Sequence, residues 1–153
     1  MRRPLRWLPA LLVILADQLM KAFVRRMTGD IVLIPGILHL THTENTGVAF
    51  SLFANYPAAV TVLTLLLSLG AVLLAVYWQR RGDRLGAVGT QLIAGGAVGN
   101  CIDRVLFGSV TDMFVTDFFR FSVFNVADAC LVVGCGLCIL SILLPGKEKA
   151  HDE

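Results

Sequence analysis

Residues 57–78 read PAAVTVLTLLLSLGAVLLAVYW, an uninterrupted run of 22 residues without a charged side chain. A helix of about 20 apolar residues crosses the hydrocarbon core of a bilayer, so this run predicts a transmembrane helix. Residues 85–102 and 126–145 form two further largely apolar segments, and residues 7–24 form a fourth that two charged residues interrupt. The sequence therefore predicts four transmembrane helices at about these positions.

The whole chain has the composition of a membrane protein rather than of a soluble domain. Of its 153 residues, 56% are hydrophobic and 16% are charged, whereas soluble domains average about 45–50% apolar and about 25% charged residues. A mean hydropathy of +0.75 and a net charge of +2 exclude a disordered chain and argue against a nucleic-acid-binding protein. Four spans use about 80 positions, which predicts a single membrane-embedded domain over residues 1–153.

The N-terminus has a second interpretation, because Arg2, Arg3 and Arg6 precede a short apolar stretch, as in a secretory signal peptide. The apolar stretch, however, ends in Ala-Asp-Gln-Leu-Met-Lys and lacks a small-x-small cleavage site. We therefore favour a first helix that is retained in the protein.

The distribution of basic residues predicts the orientation in the membrane. With four spans both termini lie on one side, and that side carries eight Lys and Arg residues against five on the other. The compact cluster of Arg80, Arg81 and Arg84 carries most weight, because short loops decide the orientation. We expect both termini in the cytoplasm, with the segments 25–56 and 103–125 on the outer side.

The larger outer segment has the composition of short β-strands. Apolar and β-branched residues at 31–34 and 37–43 flank a Pro-Gly break at 35–36, and Asn-Thr-Gly at 45–47 is a turn signal. Residues 48–53 (VAFSLF) form an apolar stretch that we expect to lie as a short helix in the membrane interface. The predicted fold class is a mainly α-helical membrane protein with four transmembrane helices, a small β-containing outer segment and an interfacial helix.

Ionisable residues at membrane depth are the strongest functional signal, because each costs about 2.5–3.5 kcal/mol on insertion scales. Four aspartates qualify, namely Asp17, Asp103, Asp112 and Asp128. All four fall at the outer ends of predicted spans or in the loop that joins two of them. We therefore expect them to gather at one level of the bilayer, as the residues of a functional site would.

Two of these aspartates have charged neighbours in the sequence. Asp17 and Lys21 are four residues apart, so on a helix they share a face, and we interpret them mainly as a structural ion pair. Asp103 and Arg104 are adjacent, point in different directions and should contact other groups. Arg104 could hold a neighbouring carboxylate or a phospholipid head group, or it could anchor the helix end.

Asp112 and Asp128 are the candidate catalytic pair. Asp112 lies in a stretch that we expect to be extended, and Asn125 is placed to cap the fourth helix, with Asp128 three residues further on. Two carboxylates in contact share a proton and titrate as a pair, which is the arrangement of an aspartic peptidase. The separation of 16 residues allows this contact. Spacing alone leaves open that each aspartate simply pairs with another group.

Five short blocks occur in order along the chain. They are residues 17–21 (DQLMK), 45–50 (NTGVAF), 99–104 (GNCIDR), 110–112 (VTD) and 124–128 (FNVAD). Together they resemble lipoprotein signal peptidase, also called signal peptidase II, in the family's order and at close to its spacing. Each block alone is weak, but five of them on a chain with four predicted spans make the resemblance specific.

The resemblance implies a bacterial inner-membrane aspartic endopeptidase. Enzymes of this family remove the signal peptide of prolipoproteins, cutting before a cysteine that carries a diacylglyceryl group. The resemblance carries the catalytic roles onto Asp112 and Asp128 and implies no metal or other cofactor. It places further residues around the active site as substrate-binding or orienting groups, which are Asn45, Gly47, Asn100, Asp103, Arg104 and Asn125.

The resemblance also implies the partners of the protein. These are prolipoprotein substrates with diacylglyceryl-cysteine, membrane phospholipid and the inhibitor globomycin, a cyclic peptide. No nucleic acid is implied, and we expect a monomer whose active site lies near the periplasmic face of the membrane.

Other functions fit parts of the sequence less well. His39 and His42 could bind zinc, but the chain has no His-Glu-x-x-His motif and the two side chains should point to opposite faces of a strand. Cys135 and Cys138 have redox spacing but lie in an apolar span, where small residues pack helices. A serine peptidase would need a motif such as G-x-S-x-G, which is absent. A transporter or proton channel would distribute its acids through the bilayer.

Overall fold

The computed structural model describes residues 7–47, 53, 55–119 and 121–144. Within these residues the chain forms four helices and three strands. In chain order they are α1 (Leu8–Val24), β1 (Ile31–Ile34), β2 (Leu38–Asn45), α2 (Pro57–Arg81), α3 (Arg84–Phe107), β3 (Val110–Thr116) and α4 (Val126–Leu143).

Three of the described helices, α2, α3 and α4, are long and apolar enough to cross a membrane. α1 forms where the first span was predicted, but it has 17 residues and buries both Asp17 and Lys21. Its apolar length is therefore shorter than that of the other three helices. The architecture is that of a mainly α-helical membrane protein.

α3 continues beyond residue 102, the predicted end of the third span, and ends at Phe107. Asp103 and Arg104 consequently lie in the last turns of this helix and not in the outer loop. Neither residue type breaks a helix, since arginine is a good helix former and aspartate, although weaker, is more favourable than glycine or proline. The helix ends instead at Gly108, whose φ of 77° is a left-handed conformation that glycine adopts without strain.

The other helix ends differ less from the prediction. α2 continues past residue 78 to Arg81 and ends at Gly82, which has a φ of 78°. The connection to α3 is therefore shorter than expected. α1 and α4 begin and end within two residues of their predicted bounds.

α3 is the central helix and packs against α1, α2 and α4. Its glycines permit this arrangement. A Cβ atom on Gly95 would lie 2.8 Å from the carbonyl oxygen of Ala10 in α1, and a Cβ atom on Gly96 would lie 2.5 Å from that of Ala127 in α4. Close backbone approach through small residues is the usual way in which helices pack in lipid.

The three strands form one antiparallel sheet in the order β1–β2–β3. β1 and β2 form an antiparallel pair where short strands were predicted on either side of the Pro-Gly break, and β3 follows directly after α3. The first four residues of β3 are buried. Val24 at the end of α1, Leu40 in β2 and Met113 in β3 form a small hydrophobic core that fixes the sheet to the helices.

The predicted strands of the outer segment are confirmed, and β3 extends them to a three-stranded sheet. The predicted turn at 45–47 is closed by a hydrogen bond of 3.0 Å from the Gly47 backbone nitrogen to Asn45 Oδ1. The predicted interfacial helix at 48–53 lies outside the described residues, except for Phe53.

The packing of α3 against α4 can be tested at Gly134, where a Cβ atom would lie 2.6 Å from the backbone oxygen of Gly89. We expect Gly134→Ala to lower the free energy of unfolding by about 1–3 kcal/mol, because the helices must separate to admit the methyl group. Thermal unfolding of the purified protein in detergent measures the change.

The matched control is Gly136→Ala in the same helix, where a Cβ atom meets no other atom within 4 Å. This variant should be neutral or more stable by about 0.5–1 kcal/mol, because alanine favours the helix over glycine. Equal effects of the two substitutions would contradict the close approach of α3 and α4.

Candidate active site

A polar cluster fills the space where the C-terminal ends of α1 and α3 and the N-terminal end of α4 meet the sheet. The four aspartates predicted to gather, Asp17, Asp103, Asp112 and Asp128, all belong to it, and the first three are almost completely buried. Hydrogen bonds and ion pairs through intervening side chains connect all four. Their burial would be costly without these partners.

Asp128 is held at the start of α4 by a capping box. Asn125 is the N-cap residue, its Oδ1 accepts a bond of 2.9 Å from the Asp128 backbone nitrogen, and Asp128 Oδ2 accepts a bond of 3.2 Å from the Asn125 backbone nitrogen. The helix end predicted from the sequence is thus present. The second carboxylate oxygen, Oδ1, accepts a hydrogen bond of 2.8 Å from Asn100 Nδ2 in α3.

Asp112 projects from β3 and is only 3% exposed. Its Oδ1 accepts a hydrogen bond of 2.7 Å from Asn125 Nδ2, and its Oδ2 accepts one of 3.1 Å from Asn45 Nδ2. Asp112 pairs with Thr43 in the β2–β3 ladder, and Asn45 lies two residues further along β2. Alternate residues of a strand share a face, which explains why the Asn45 side chain reaches the carboxylate.

Asn125 joins the two candidate catalytic carboxylates. Its backbone and side-chain oxygen cap α4 at Asp128, while its Nδ2 donates both to Asp112 Oδ1 and, at 3.1 Å, to Asn100 Oδ1. Asp112 and Asp128 both line one cavity of about 580 Å³ that extends between α2 and α4. The structure therefore brings the two residues, which belong to different elements, to one site.

Burial raises the pKa of Asp112 to about 6, and the nearby negative charge of Asp128 adds to this increase. Hydrogen bonds from Asn45 and Asn125 act in the opposite direction, because an amide donor stabilises the ionised carboxylate. Asp112 therefore holds a proton at pH values where an exposed aspartate is already ionised.

Lys21 is the central cation of the cluster and is completely buried. Its Nζ lies 2.7 Å from Asp17 Oδ2 and 3.4 Å from Asp103 Oδ2, and it donates a hydrogen bond of 2.9 Å to Asn100 Oδ1. The ion pair expected from the spacing of Asp17 and Lys21 is thus one part of a larger network. Asp17 also accepts a bond of 3.0 Å from the backbone nitrogen of Ala127, at the start of α4.

Arg104, which lines the cavity, contacts Gly47. The buried guanidinium of Arg104 donates a hydrogen bond from Nη2 to the carbonyl oxygen of Gly47, and Asn45 closes the same turn. Asp103, its neighbour in α3, faces the other way, toward Lys21 and Arg25. The expectation that these two adjacent residues contact different groups agrees with this geometry.

Two residues of the cluster were not singled out by sequence reasoning. Gln18 Nε2 donates to Asp17 Oδ2, to Asp103 Oδ1 and to the carbonyl oxygen of Gly99. Arg25 contacts Asp103 as well. The position of Gln18 next to Asp17 was a signal that it could join the cluster. For Arg25 the sequence offered no signal except its charge.

The candidate metal ligands His39 and His42 lie on the sheet, outside the polar cluster. His39 pairs with Asp117 at 2.8 Å and His42 with Glu44 at 2.9 Å, both on the sheet. No group of three or more His, Cys, Asp or Glu side chains in residues 7–47, 53, 55–119 and 121–144 is arranged to bind a metal. The four cysteines are free thiols, and Cys138 packs against the helix glycines Gly86 and Gly89.

The fold and the buried acid–amide cluster define the class of this protein as a polytopic membrane protein with a candidate hydrolytic site. A solved structure titled "Bacterial membrane enzyme structure by the in meso method at 2.3 A resolution" is similar, with a TM-score of 0.80 and 28% sequence identity. The similarity covers 97% of this chain and 93% of the other.

Sequence comparison identifies the family. The family model described as signal peptidase (SPase) II matches residues 9–144. The lipoprotein signal peptidase of Thermosynechococcus vestitus is 39% identical over 91% of this chain and 90% of its own length. That of Halothermothrix orenii is 37% identical over 95% of this chain and 99% of its own. The chain belongs to the signal peptidase II family, which confirms the resemblance noted from its five blocks.

The structural importance of the Asp17–Lys21 contact can be tested with Asp17→Asn. We expect this variant to lower the free energy of unfolding by about 3–5 kcal/mol, because it leaves a buried ammonium group without its nearest anion. Thermal unfolding in detergent measures the effect. The exposed Asp30→Asn serves as the control, and the double variant Asp17→Asn with Lys21→Met should recover part of the loss. An unchanged midpoint for Asp17→Asn would refute this interpretation.

Proposed function

We propose that the protein is an aspartic endopeptidase that removes signal peptides from prolipoproteins whose cysteine carries a diacylglyceryl group, cutting before that cysteine. The observation that carries this proposal is that Asp112 and Asp128, from different elements, line one cavity and are joined through Asn125. Family membership supports the peptidase class, and the names of the relatives support the substrate class.

In the proposed reaction the two aspartates share one proton. Ionised Asp128 takes a proton from a water molecule, whose oxygen attacks the carbonyl carbon of the scissile peptide bond. Protonated Asp112 donates its proton to the carbonyl oxygen, which gives a gem-diol. Collapse of the gem-diol returns a proton to Asp112, while Asp128 protonates the leaving nitrogen. No covalent intermediate is required.

The assignment of these roles is supported by the different surroundings of the two carboxylates. Asp112 is buried in a strand, and its raised pKa favours the protonated form. Asp128 lies at the N-terminus of α4, where the helix dipole and the capping box favour a negative charge. A pair of acids with divergent environments is the usual basis for separate acid and base roles.

The cavity beside the carboxylates suits an apolar substrate. Apolar side chains of α2, α3 and α4 make up much of its lining, which are Leu67, Ala71, Ile93, Ala97, Leu131 and Val132. The hydroxyls of Thr64 and Ser68 also line it, and both donate to backbone carbonyl oxygens. A signal peptide with an adjacent diacylglyceryl chain presents the matching surface. Arg104 and the turn at Gly47 lie at the polar end, where they can orient the peptide backbone.

We propose that α1 is the fourth transmembrane helix and that the protein functions as a single-domain monomer in the bacterial inner membrane. Because the charges of Asp17 and Lys21 neutralise each other, α1 can enter the bilayer despite its polar end. Both termini are then cytoplasmic, by the positive-inside rule, and the site faces the periplasm. Phospholipid surrounds the protein, and globomycin is the expected inhibitor.

Cleavage of a lipidated prolipoprotein by the purified protein in detergent tests the proposal. We expect Asp112→Asn and Asp128→Asn each to reduce cleavage by about 10²–10⁴-fold, because general acid–base catalysis contributes about that factor. Cleavage should persist with a metal chelator present. Unfolding midpoints of the variants should stay close to that of the parent protein.

The matched control for this experiment is Asp117→Asn, which replaces an exposed carboxylate that pairs with His39 on the sheet. It should cleave at the parent rate. If the parent does not cleave the substrate, or if the two dyad variants retain activity, the proposed function is wrong. Proton flux through liposomes that persists in those variants would instead indicate a transporter.

The pH dependence of kcat/KM offers a second test. With Asp128 ionised, activity should fall above about pH 6, where Asp112 loses its proton. Asn45→Ala removes a hydrogen bond that stabilises ionised Asp112, so the pKa of Asp112 rises and the decline should move to higher pH. A decline that moves to lower pH, or does not move, would contradict the assignment of the shared proton to Asp112.

A further inference from the structure

The guanidinium of Arg25 contacts three groups from different parts of the chain. Arg25 is the C-cap residue of α1, and its Nε donates a hydrogen bond of 2.8 Å to Thr111 Oγ1 in β3. Its Nη2 forms an ion pair of 2.9 Å with Asp103 Oδ2 in α3, although its N–H is not aligned for a hydrogen bond there. Its planar group also lies over the ring of Phe107, 4.1 Å from the centroid.

Thr111 is held from several directions and is completely buried. Its backbone nitrogen donates a hydrogen bond of 3.0 Å to Asp103 Oδ2, the same oxygen that pairs with Arg25. Its hydroxyl, which accepts the bond from Arg25, lies 3.4 Å from Glu44 Oε1 on β2. Backbone and side chain of Thr111 are thus fixed to α1, α3 and the neighbouring strand.

Thr111 immediately precedes Asp112, and consecutive residues of a strand point to opposite faces. The Thr111 side chain therefore faces Arg25 while the Asp112 carboxylate faces the cavity. The β2–β3 ladder is irregular beside this position, because three residue steps of β2, from Leu40 to Thr43, oppose two steps of β3. The pairing of β2 with β3 therefore does not by itself fix the position of the Asp112 carboxylate.

We propose that Arg25 is a positioning residue that holds β3 against Asp103 and so sets the place of the Asp112 carboxylate. This inference rests on the proposed function, in which Asp112 is catalytic. Arg25 does not line the cavity, so it acts through Thr111 and not on the substrate. An arginine is required because only its planar group offers a donor to the hydroxyl, a second nitrogen to the carboxylate and a face to the phenyl ring.

The test compares Arg25→Met, Arg25→Lys and Thr111→Val with the parent protein in the prolipoprotein cleavage assay. We expect Arg25→Met and Thr111→Val to lower kcat by about 10- to 100-fold, because small misplacements of a reacting group have effects of this size. KM should change less than about threefold. Arg25→Lys keeps the charge and should recover part of the loss.

The control is Arg26→Met, which removes the adjacent cation, an exposed residue, and should leave kcat unchanged. If Arg25 only stabilised the fold, Arg25→Met would lower the fraction of folded protein. The apparent kcat/KM would then fall by the same factor at every pH, and the pH of the alkaline decline would not change. Displacement of Asp112 from Asn45 and Asn125 instead removes hydrogen bonds to its ionised form. The alkaline decline of kcat/KM should then move to higher pH in Arg25→Met.

Amide hydrogen exchange of a peptide covering residues 108–116 gives a readout that does not depend on activity. Exchange should be faster in Arg25→Met and Thr111→Val than in the parent, and unchanged in Arg26→Met. If the parent cleaves, parent-like exchange together with parent-like kcat in Arg25→Met would overturn the positioning role. A parent that does not cleave would refute the proposed function, and exchange would then decide the role of Arg25 alone.

Discussion

The rest of the site depends on the contacts of the buried ammonium group of Lys21. A charge in a low-dielectric interior must be paired and hydrogen-bonded, and this group meets Asp17, Asp103 and the side-chain oxygen of Asn100. Because Lys21 donates to Asn100 Oδ1, the amide nitrogen of Asn100 is directed toward Asp128. One cation on α1 thus fixes the orientation of an amide that contacts a candidate catalytic carboxylate.

The close packing of the helices and the contacts of the polar cluster depend on each other. A Cβ atom on Gly99 would lie 2.7 Å from Asp17 Oδ2, so only glycine lets α3 approach the carboxylate of α1 so closely. On the neighbouring turn, Gly96 admits the start of α4, where the Ala127 backbone nitrogen donates to Asp17. In lipid, where apolar burial gives little drive for association, small residues and such hydrogen bonds are the available sources of stability.

Sequence patterns predicted the secondary structure elements and missed contacts between residues that are distant in the sequence. The helices, the short strands and the N-cap at Asn125 follow from apolar length, turn residues and spacing within one element. The gathering of the aspartates follows from their positions at the outer ends of the predicted spans. Asn45 and Asp112 form a hydrogen bond although they are 67 positions apart in the sequence. Residue spacing cannot predict a contact between such distant positions. The end of α3 at Phe107 was missed because the charged residues Asp103 and Arg104 suggested a span that stops before them, although the helix ends only at Gly108.

The two candidate catalytic carboxylates differ because the fold delivers them from different kinds of element. A helix N-terminus offers free backbone N–H groups and a favourable dipole, and Asp128 lies at this end of α4. A strand has no such groups to spare, since its backbone is committed to the ladder, and Asp112 relies on the amides of Asn45 and Asn125. In the proposed mechanism, the difference between the acid and the base therefore follows from the secondary structure that carries each carboxylate, and the asparagines adjust its extent.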